Sequence, residues 1–258
     1  MARKTRSQAA ATGNANNATG SQKAPSQFPP ISPKRRLQSR ALLEDQIILV
    51  DGFMTPEECK RYVHFIDSQS LELTPPKKRG EAERVNYRMS VTSADMAEQF
   101  YTLFSPHLPP FPYPASLKRD GEEARPVHSF NSNIRMYKYT PGQHFGCHYD
   151  DSVRDPQNGA KSEWTLLVYL TGIEDGVKGG ETIFYTGQKG KRGTEVITAP
   201  LTKGTASCIG TSCIYNPTQT RTHQRRLHRH GHECLLHEGS PVISGTKYIL
   251  RSDLMFID

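Results

Sequence analysis

The sequence has little of what marks an exported or membrane protein. Its 258 residues include only five cysteines, an odd number at unrelated spacings. They contain no run of about 18 apolar residues, and the first residues are polar and basic, without an apolar signal-peptide core. We therefore expect an intracellular protein, cytoplasmic or nuclear, with reduced thiols, no disulfide framework, no paired CxxC zinc site and no membrane partner.

Acidic residues are missing from residues 1–40, where all eight charged residues are basic, so the rest of the chain holds 25 basic against 26 acidic residues. The basic pI of about 9.1 thus comes from this segment, and nucleic acid is not an expected partner of the folded part. Because large apolar side chains are also scarce there, residues 1–40 are predicted to be a disordered basic tail. The basic run at 33–36 is either a nuclear localisation signal or an ordinary solvated run.

Residues 41–258 are sufficient for one domain with its own core. Thr55 as N-cap, Pro56 at the first position and Glu58 at the third predict a helix start. A second amphipathic helix is predicted from near Ser93 to just before Pro106. Short β runs follow at 132–139, 164–170, 181–184, 232–237 and 246–256. This order predicts an α+β, mainly β fold, an antiparallel barrel or jelly roll with N-terminal helices packed on one sheet.

A metal site is the first chemical prediction. His148 and Asp150 are two residues apart in an extended segment, so their side chains share one side and can bind one ion. His237, after another β run, can complete a 2-His-1-carboxylate face, which leaves positions open on an Fe(II) ion. The H-x-D pair alone is a weak signal.

The support comes from a cationic pair further along the chain. Lys247 and Arg251 lie on the odd-numbered face of the strand predicted at 246–256. If that face lines the interior, these buried cations need an anionic partner. A carboxylate of a bound co-substrate would supply it.

Four motifs now stand in order: His148-Tyr149-Asp150, Gly179-Gly180-Glu181-Thr182, His237-Glu238-Gly239 and Lys247. From about residue 47 to the end, the chain resembles the prolyl 4-hydroxylase-like branch of the Fe(II)/2-oxoglutarate-dependent dioxygenases, whose fold is a double-stranded β-helix (jelly roll). The resemblance implies that His148, Asp150 and His237 are the catalytic iron ligands. It further implies that Lys247 binds 2-oxoglutarate and that Tyr139, nine residues before His148, contacts it. Tyr169 is a second candidate for that contact, or simply a buried aromatic residue.

The resemblance also implies the reaction. An unactivated C–H would be hydroxylated with 2-oxoglutarate and O₂ as co-substrates, ascorbate as a reductant of the iron, and succinate and CO₂ as products. The leading substrate is a proline in a protein or peptide, with a small molecule as the alternative. Substrate choice is expected to depend on the loops at 75–88 and 151–163, while the oligomeric state is left open.

Two features depart from the family pattern. Tyr248 follows the lysine and Arg251 adds a second cation, so Arg251 either shares the co-substrate carboxylate or pairs with Asp253 or another acid. The second departure is residues 207–226, a polar and basic stretch between Lys203-Gly204-Thr205-Ala206 and the second histidine. We predict that it is an inserted surface loop or an intron retained in the gene model.

Other functions stay open at this point. His228, His230, His232 and Cys234 alternate on one predicted strand face, so they are either a second metal site or the strand leading to His237. The whole domain is alternatively a non-catalytic jelly-roll binding module, or a zinc hydrolase that uses the same three ligands. Neither alternative needs Lys247 behind the metal.

Overall fold

The computed structural model of the chain describes residues 28–44, 46–113, 123–187, 189–211 and 235–257. Within them the helices are α1 (Pro56–Asp67) and α2 (Ala94–Phe104), with single 3-10 turns at Ser105–His107 and Ile173–Asp175. The strands are β1 (Gln38–Leu43), β2 (Ile47–Asp51), β3 (Glu72–Leu73), β4 (Arg84–Val85), β5 (Tyr87–Thr92), β6 (Ser129–Phe130), β7 (Asn133–Tyr139), β8 (His144–His148), β9 (Lys161–Tyr169), β10 (Lys178–Gly179), β11 (Thr182–Tyr185), β12 (Val196–Ala199), β13 (Ala206–Gly210), β14 (Leu236–Gly239), β15 (Val242–Ser244) and β16 (Lys247–Phe256). Neither helix has the length and apolar character needed to cross a bilayer.

The strands form antiparallel sheets. Among the described residues, the large sheet has nine strands in the order β1-β2-β13-β9-β16-β7-β5-β3, with β6 paired to β16. The small sheet has five strands in the order β12-β11-β14-β8-β4, and β10 and β15 form a separate pair. The expectation of a mainly β fold with antiparallel sheets is therefore confirmed.

Alternation along β16 sends its two faces to different environments. The even-numbered Tyr248 and Leu250 belong to the main apolar cluster, which also contains Phe100 of α2 and Tyr62 of α1. The odd-numbered Ile249 belongs to a second cluster, which includes aromatic side chains of β7 and β9 and the partly buried Phe145 of the small sheet. Since successive side chains of a strand point to opposite faces, β16 presents Lys247 on the side of the small sheet.

The start of α1 follows from its first residues. Thr55 accepts a hydrogen bond from the backbone N–H of Glu58, and the Glu58 carboxylate accepts one from the backbone N–H of Thr55. These reciprocal bonds satisfy amides that a helix N-terminus leaves unpaired. The Ser93 side chain accepts from the N–H of Met96 at the start of α2. Both predicted helix starts are confirmed.

The predicted tail is too long. Residues 1–27 lie outside the described residues, but residues 28–40 pack on the domain. Ile31 belongs to the main apolar cluster, and the ring of Phe28 lies 5.2 Å from that of Phe65. Strand β1 begins at Gln38 and pairs with β2. The boundary at residue 40 is therefore wrong, because the few apolar residues of this segment are spaced so that they cover α1.

The predicted insertion begins too early. Residues 207–210 belong to β13, which pairs with β2 on one side and β9 on the other. The Ser207 and Cys208 side chains are fully buried, so this part is a central strand and not a surface loop. Residues 212–234 lie outside the described residues. The rest of the predicted insertion, the alternating His228–Cys234 face and the beginning of the strand predicted at 232–237 fall there.

Candidate active site

Two histidines face each other across neighbouring strands of the small sheet. In the antiparallel pairing of β8 with β14, His148 lies directly opposite His237. Cross-strand neighbours on one face of a sheet are in contact distance, and the two imidazole centroids are 4.2 Å apart. The strand register thus brings together residues that are 89 positions apart in the sequence.

Asp150, two residues after the end of β8, completes the group. Its Oδ1 lies 3.8 Å from Nε2 of His148, and its Oδ2 lies 3.7 Å from Nε2 of His237. Ligand atoms from the three residues all lie within 4.8 Å of one another. These separations are too long for hydrogen bonds and close to the roughly 3 Å between adjacent ligands of one octahedral ion. The three predicted ligands therefore converge on one point.

The tautomer of each histidine suits a metal. Nδ1 of His148 lies 2.9 Å from the carbonyl oxygen of Gly146, and Nδ1 of His237 lies 2.9 Å from that of Leu235. Because a carbonyl only accepts hydrogen bonds, both Nδ1 atoms carry the proton and donate it. The lone pair of each neutral ring is then on Nε2, the nitrogen that faces Asp150. Backbone contacts of this kind orient metal-binding histidines in other proteins.

The protonation states agree with this arrangement. Burial, together with the neighbouring His237, lowers the pKa of His148 to about 3. Burial alone would raise the pKa of Asp150, but the Arg251 guanidinium and the two imidazoles hold it well below its ordinary value. At neutral pH the site therefore offers a neutral imidazole at His148 and a charged carboxylate, the forms that bind a divalent cation.

Arg251 is at the metal end of this cavity. Its Nη2 lies 3.0 Å from Oδ1 of Asp150 and 3.8 Å from Oδ1 of Asp253. It lies four positions after Lys247, or about 13 Å along β16. The structure therefore puts Arg251 against an acid of the site, and not beside Lys247 as a second anchor for the same carboxylate.

Lys247 is buried at the other end. Its Nζ donates to the carbonyl oxygen of Gly180 and lies 5.4 Å from the ring centroid of Tyr139 and 5.8 Å from that of Tyr169. Burial lowers its pKa to about 8, although the charge of Glu181 acts in the opposite direction. No carboxylate forms an ion pair with Lys247 among the residues that the structure describes. A buried ammonium is normally paired with an anion, so this position favours an anionic ligand.

The glycine motif explains how the backbone reaches Lys247. Gly180 has φ +77°, and a Cβ there would lie 3.2 Å from Cδ of Lys247 and 3.0 Å from Cγ2 of Val242. At Gly179 (φ +71°) a Cβ would lie 2.3 Å from the carbonyl oxygen of Pro241. Glycine is therefore required at both positions, for conformation and for close approach.

One cavity joins both ends of the site. Its lining comes from both sheets: Tyr137, Tyr139, Phe145, His148, Asp150, Leu167, Thr182, His237, Gly239, Lys247, Ile249 and Arg251. Tyr169 lies behind this wall, and its hydroxyl is 2.9 Å from Oγ1 of Thr182. The predicted co-substrate residues Lys247, Tyr139 and Arg251 thus line the cavity, whereas Tyr169 reaches it through Thr182.

Sequence reasoning assigned no role to three residues of this site. Thr182 is the last residue of the glycine motif, so that motif already pointed to it. Phe145 stacks on the His148 ring with centroids 3.6 Å apart. Regular alternation would put residues three apart on opposite faces, so only the irregular pairing of β8 with β14 reveals this contact. Arg84 lies over the rings of Tyr137 and Phe145, at 4.3 and 4.5 Å, and nothing in its sequence context indicates this.

Comparison with known protein families now adds an independent result. Residues 134–252 match the 2OG-Fe(II) oxygenase superfamily. This stretch contains the metal-binding group and Lys247, so the match covers the whole predicted site. The resemblance to this superfamily is confirmed over residues 134–252, a little under half of the chain.

Solved structures with a related arrangement include prolyl hydroxylases. Viral collagen prolyl hydroxylase from Paramecium Bursaria Chlorella virus-1 is 19% identical, with 82% of this chain and 97% of that chain covered and a TM-score of 0.45. A Pseudomonas putida prolyl-4-hydroxylase is 11% identical, with 84% and 95% covered and a TM-score of 0.48. The Trichoplax adhaerens prolyl hydroxylase, solved with a hypoxia inducible factor peptide fragment, is 12% identical, with 81% and 84% covered and a TM-score of 0.48. A search of curated proteins found no match.

Proposed function

We propose that the protein is an Fe(II)- and 2-oxoglutarate-dependent dioxygenase that hydroxylates an unactivated C–H bond. His148, Asp150 and His237 would hold the iron as catalytic ligands. The observation that carries the proposal is the combination, in one cavity, of this group with a buried lysine that has no carboxylate partner among the described residues. The superfamily match over residues 134–252 supports it.

The residues present fit a divalent metal ion. Both histidines have Nε2 free to coordinate, and the carboxylate between them is ionised. When bound, Fe(II) would supply open coordination positions for 2-oxoglutarate and O₂ and the oxidising chemistry of the reaction. The chain itself holds two imidazoles in the required tautomer, through the carbonyls of Gly146 and Leu235. It also keeps the group out of bulk water, since Asp150 and His237 are buried.

Lys247 would bind the far carboxylate of 2-oxoglutarate. Its ammonium is protonated at pH 7 even with a pKa of about 8, and it lies among Tyr139, Thr182 and the carbonyl of Gly180. Tyr139 is paired with Lys247 in the register of β7 and β16, so its side chain shares their face and bounds the same space. Arg251 would orient Asp150 through its ion pair and leave the other carboxylate oxygen for the metal.

The fold proposal has the same basis. We infer that the two facing sheets are the halves of a double-stranded β-helix, with α1 and α2 packed on the outer face of the large sheet. Shared membership of strand and helix residues in the main apolar cluster supports it. The protein or peptide substrate, with proline as the leading residue, rests on the motif resemblance alone, as does ascorbate as reductant. Localisation in the cytoplasm or nucleus stays a proposal.

Metal content and 2-oxoglutarate turnover test the function together. We expect purified protein to bind one Fe(II) and to release succinate only when 2-oxoglutarate and O₂ are present. A non-catalytic binding module would release none, and a zinc hydrolase would need neither co-substrate. Bound metal without any 2-oxoglutarate-dependent succinate would overturn the proposal.

Two single variants should fail differently. His148→Ala removes a ligand and should lose the metal. Lys247→Ala should keep it but need roughly ten to a hundred times more 2-oxoglutarate, the range expected for a charge-assisted contact. Arg251→Ala is the matched control for loss of a cation on the same strand face. If that variant raises the 2-oxoglutarate requirement and Lys247→Ala does not, the anchor assignment is wrong.

A further inference from the structure

A second cavity adjoins the candidate active site. It has a volume of about 360 Å³ and is lined by Glu72, Arg88, Met89, Ser90, Arg135 and Tyr137. Tyr137 also lines the cavity that holds the metal-binding group. The two cavities therefore share Tyr137 as a common wall residue.

Strand register explains why arginines meet there. In the pairing of β5 with β7, Arg88 lies opposite Tyr137 and Ser90 lies opposite Arg135. In the pairing of β7 with β16, Arg135 lies opposite Arg251. Residues directly opposite in an antiparallel pair share one face of the sheet. Three neighbouring strands thus each present an arginine on the face that bounds the two cavities.

Acidic groups on this wall do not balance the arginines. The carboxylate of Asp253 is shared by two of them, Arg135 and Arg251. Glu72 lies opposite Arg88 in the register of β3 and β5. The remaining acid, Asp150, would be neutralised in the loaded site by the metal ion, whose second charge would be offset by the carboxylate that 2-oxoglutarate places on it. Three arginines of the wall then face two acids, Asp253 and Glu72, so the wall keeps a net positive charge.

Two of the guanidinium groups also have unused hydrogen-bond donors. Nε of Arg135 and Nε of Arg251 are buried and have no hydrogen-bond partner within the described part of the chain. Nη2 of Arg84, whose guanidinium lies over the Tyr137 ring, is in the same condition. A buried N–H without an acceptor is costly, and an arginine fork matches a carboxylate geometrically.

Ion pairs within the protein do not use all the hydrogen-bond donors of these arginines. Arg135 holds Asp253, and Arg251 holds Asp150, but each has a donor left over. Arg88 is exposed and forms no ion pair with the described residues. Around Tyr137, burial tends to raise the hydroxyl pKa, yet Arg251, Arg84 and Arg135 together lower it. An anion at the same place would be stabilised for the same reason.

We propose that the Arg88–Arg135–Arg251 wall beside Tyr137 binds a carboxylate of the prime substrate. This rests on the proposed function and adds the substrate class: a molecule with an acidic group close to the carbon that is hydroxylated. The position is distinct from that of the co-substrate carboxylate, because Lys247 lies four positions from Arg251, or about 13 Å along β16. The carboxylate belongs either to an acidic side chain of a peptide or to a small organic acid.

Binding, measured without turnover, tests this directly. The full chain is loaded with Zn(II) and saturating 2-oxoglutarate under nitrogen, so that Lys247 is occupied. Two pairs of matched probes are titrated by calorimetry: acetyl-Glu-Pro-Glu-amide against acetyl-Gln-Pro-Gln-amide, and glutarate against glutaramide. We expect the acidic member of one pair to bind at least about tenfold more tightly than its amide, and the pair that does so identifies the source.

Charge variants connect the preference to the wall. Arg88→Gln should reduce the preference for the acid by about three- to tenfold, and Arg88→Glu should abolish it. Arg88 is exposed, so both variants should fold. Arg40→Gln and Arg40→Glu are the matched controls, because Arg40 is an exposed arginine on β1, at the opposite edge of the same sheet. They should keep the preference.

Two results would overturn the proposal. One is equal binding of acid and amide in both pairs. The other is a preference that Arg88→Glu and Arg40→Glu reduce to the same extent, which would indicate a general charge effect. Since no step requires turnover, either result leaves the dioxygenase proposal to be judged separately by succinate release.

Discussion

Lys247 is the residue on which the co-substrate assignment depends most. A buried ammonium is normally paired, but among the described residues the Lys247 ammonium donates to a carbonyl oxygen, lies near two aromatic rings and forms no ion pair. Its distance along β16 from Arg251 separates the anion-binding end of the cavity from the metal-binding end. Burial lowers the pKa of such a lysine, so its loss of charge falls within an accessible pH range.

Binding of 2-oxoglutarate should therefore depend on pH. The pKa of Lys247 is lowered to about 8 by burial, so in the free protein its positive charge is present below pH 8 and is lost as pH rises through that value. We expect kcat/KM for 2-oxoglutarate to fall above about pH 8, because this parameter reports ionisation of the free enzyme. Lys247→Arg, whose side chain stays charged, should lack this limb. A fall shared by both proteins would assign the ionisation to another group.

The close approach of Gly180 to the Lys247 side chain leads to a second prediction. In Gly180→Ala the added methyl group must displace the Lys247 chain or Val242 by a few tenths of an ångström. We expect weaker 2-oxoglutarate binding with unchanged metal content. Gly193→Ala is the control, since Gly193 also has positive φ (+84°) but nothing within 4 Å of a Cβ. Both variants bear a backbone cost of about 1–2 kcal/mol, which unfolding measurements would show, so equal 2-oxoglutarate affinities would contradict the prediction.

At the scale of elements, the sequence predicts what rests on strong local patterns. The capping residues Thr55 and Glu58 define the start of α1, and alternation along β16 predicts the shared face of Lys247 and Arg251. The spacing of His148 and Asp150 predicts a common ligand site, since side chains two residues apart in an extended segment point to the same side. These features depend on neighbours in the sequence, so they are visible without the fold.

Elements that depend on distant pairing could not be predicted. Strand β13 begins a polar stretch, and only its position between β2 and β9 shows why Ser207 is buried. Strands β4 and β5 carry arginines that resemble a solvated loop, and the expectation of a loop at 75–88 was wrong for its last residues, which belong to these strands. Arg135 and Arg251 are likewise neighbours only because β7 and β16 pair in the sheet. Substrate-binding features of the wall are therefore a property of the tertiary structure.

The segment before β1 gives a prediction for one element. Lys34 forms an ion pair with Glu58 of α1, whose side chain is only 1% exposed, so Lys34 belongs to the domain more than to a free basic run. Burial tends to raise the pKa of Glu58, but Lys34 and the backbone N–H groups of Thr55 and Ser32 lower it. Lys34→Gln would leave a buried charge with fewer partners.

We expect Lys34→Gln to lower the free energy of unfolding by about 1–3 kcal/mol, measured by urea denaturation at pH 7. The exposed neighbour Arg35 provides the control, and Arg35→Gln should change stability little. Truncation sharpens the test: removing residues 1–27 should be neutral, whereas removing residues 1–37 also removes Phe28, Ile31 and Lys34 and should destabilise. Equal stability of the two truncated chains would show that the segment contributes nothing.

At the scale of the whole molecule, the two sheets meet at charged groups as well as at apolar ones. Asp150 follows a strand of the small sheet, while Arg251 belongs to the large sheet, and their ion pair crosses the cavity between them. His148 adds a neutral imidazole to the same interior. The stability of the whole domain is thus linked to the protonation of its site.

This linkage predicts how the metal-free protein responds to acid. The pKa of His148 is about 3 in the folded state, against an ordinary value of 6.5. Below pH 6.5 the unfolded chain therefore takes up a proton that the folded protein does not, and stability falls with pH by up to about 1.4 kcal/mol per unit. Asp150 has a lowered pKa, so its loss of stability begins only below its ordinary value of 3.8. Between pH 6.5 and about 4.5, the change in stability therefore reports protonation of the histidine and not of the carboxylates. Urea unfolding with a chelator present should show this slope in the wild type and a shallower one in His148→Gln, whereas parallel slopes would mean that His148 takes up its proton without unfolding.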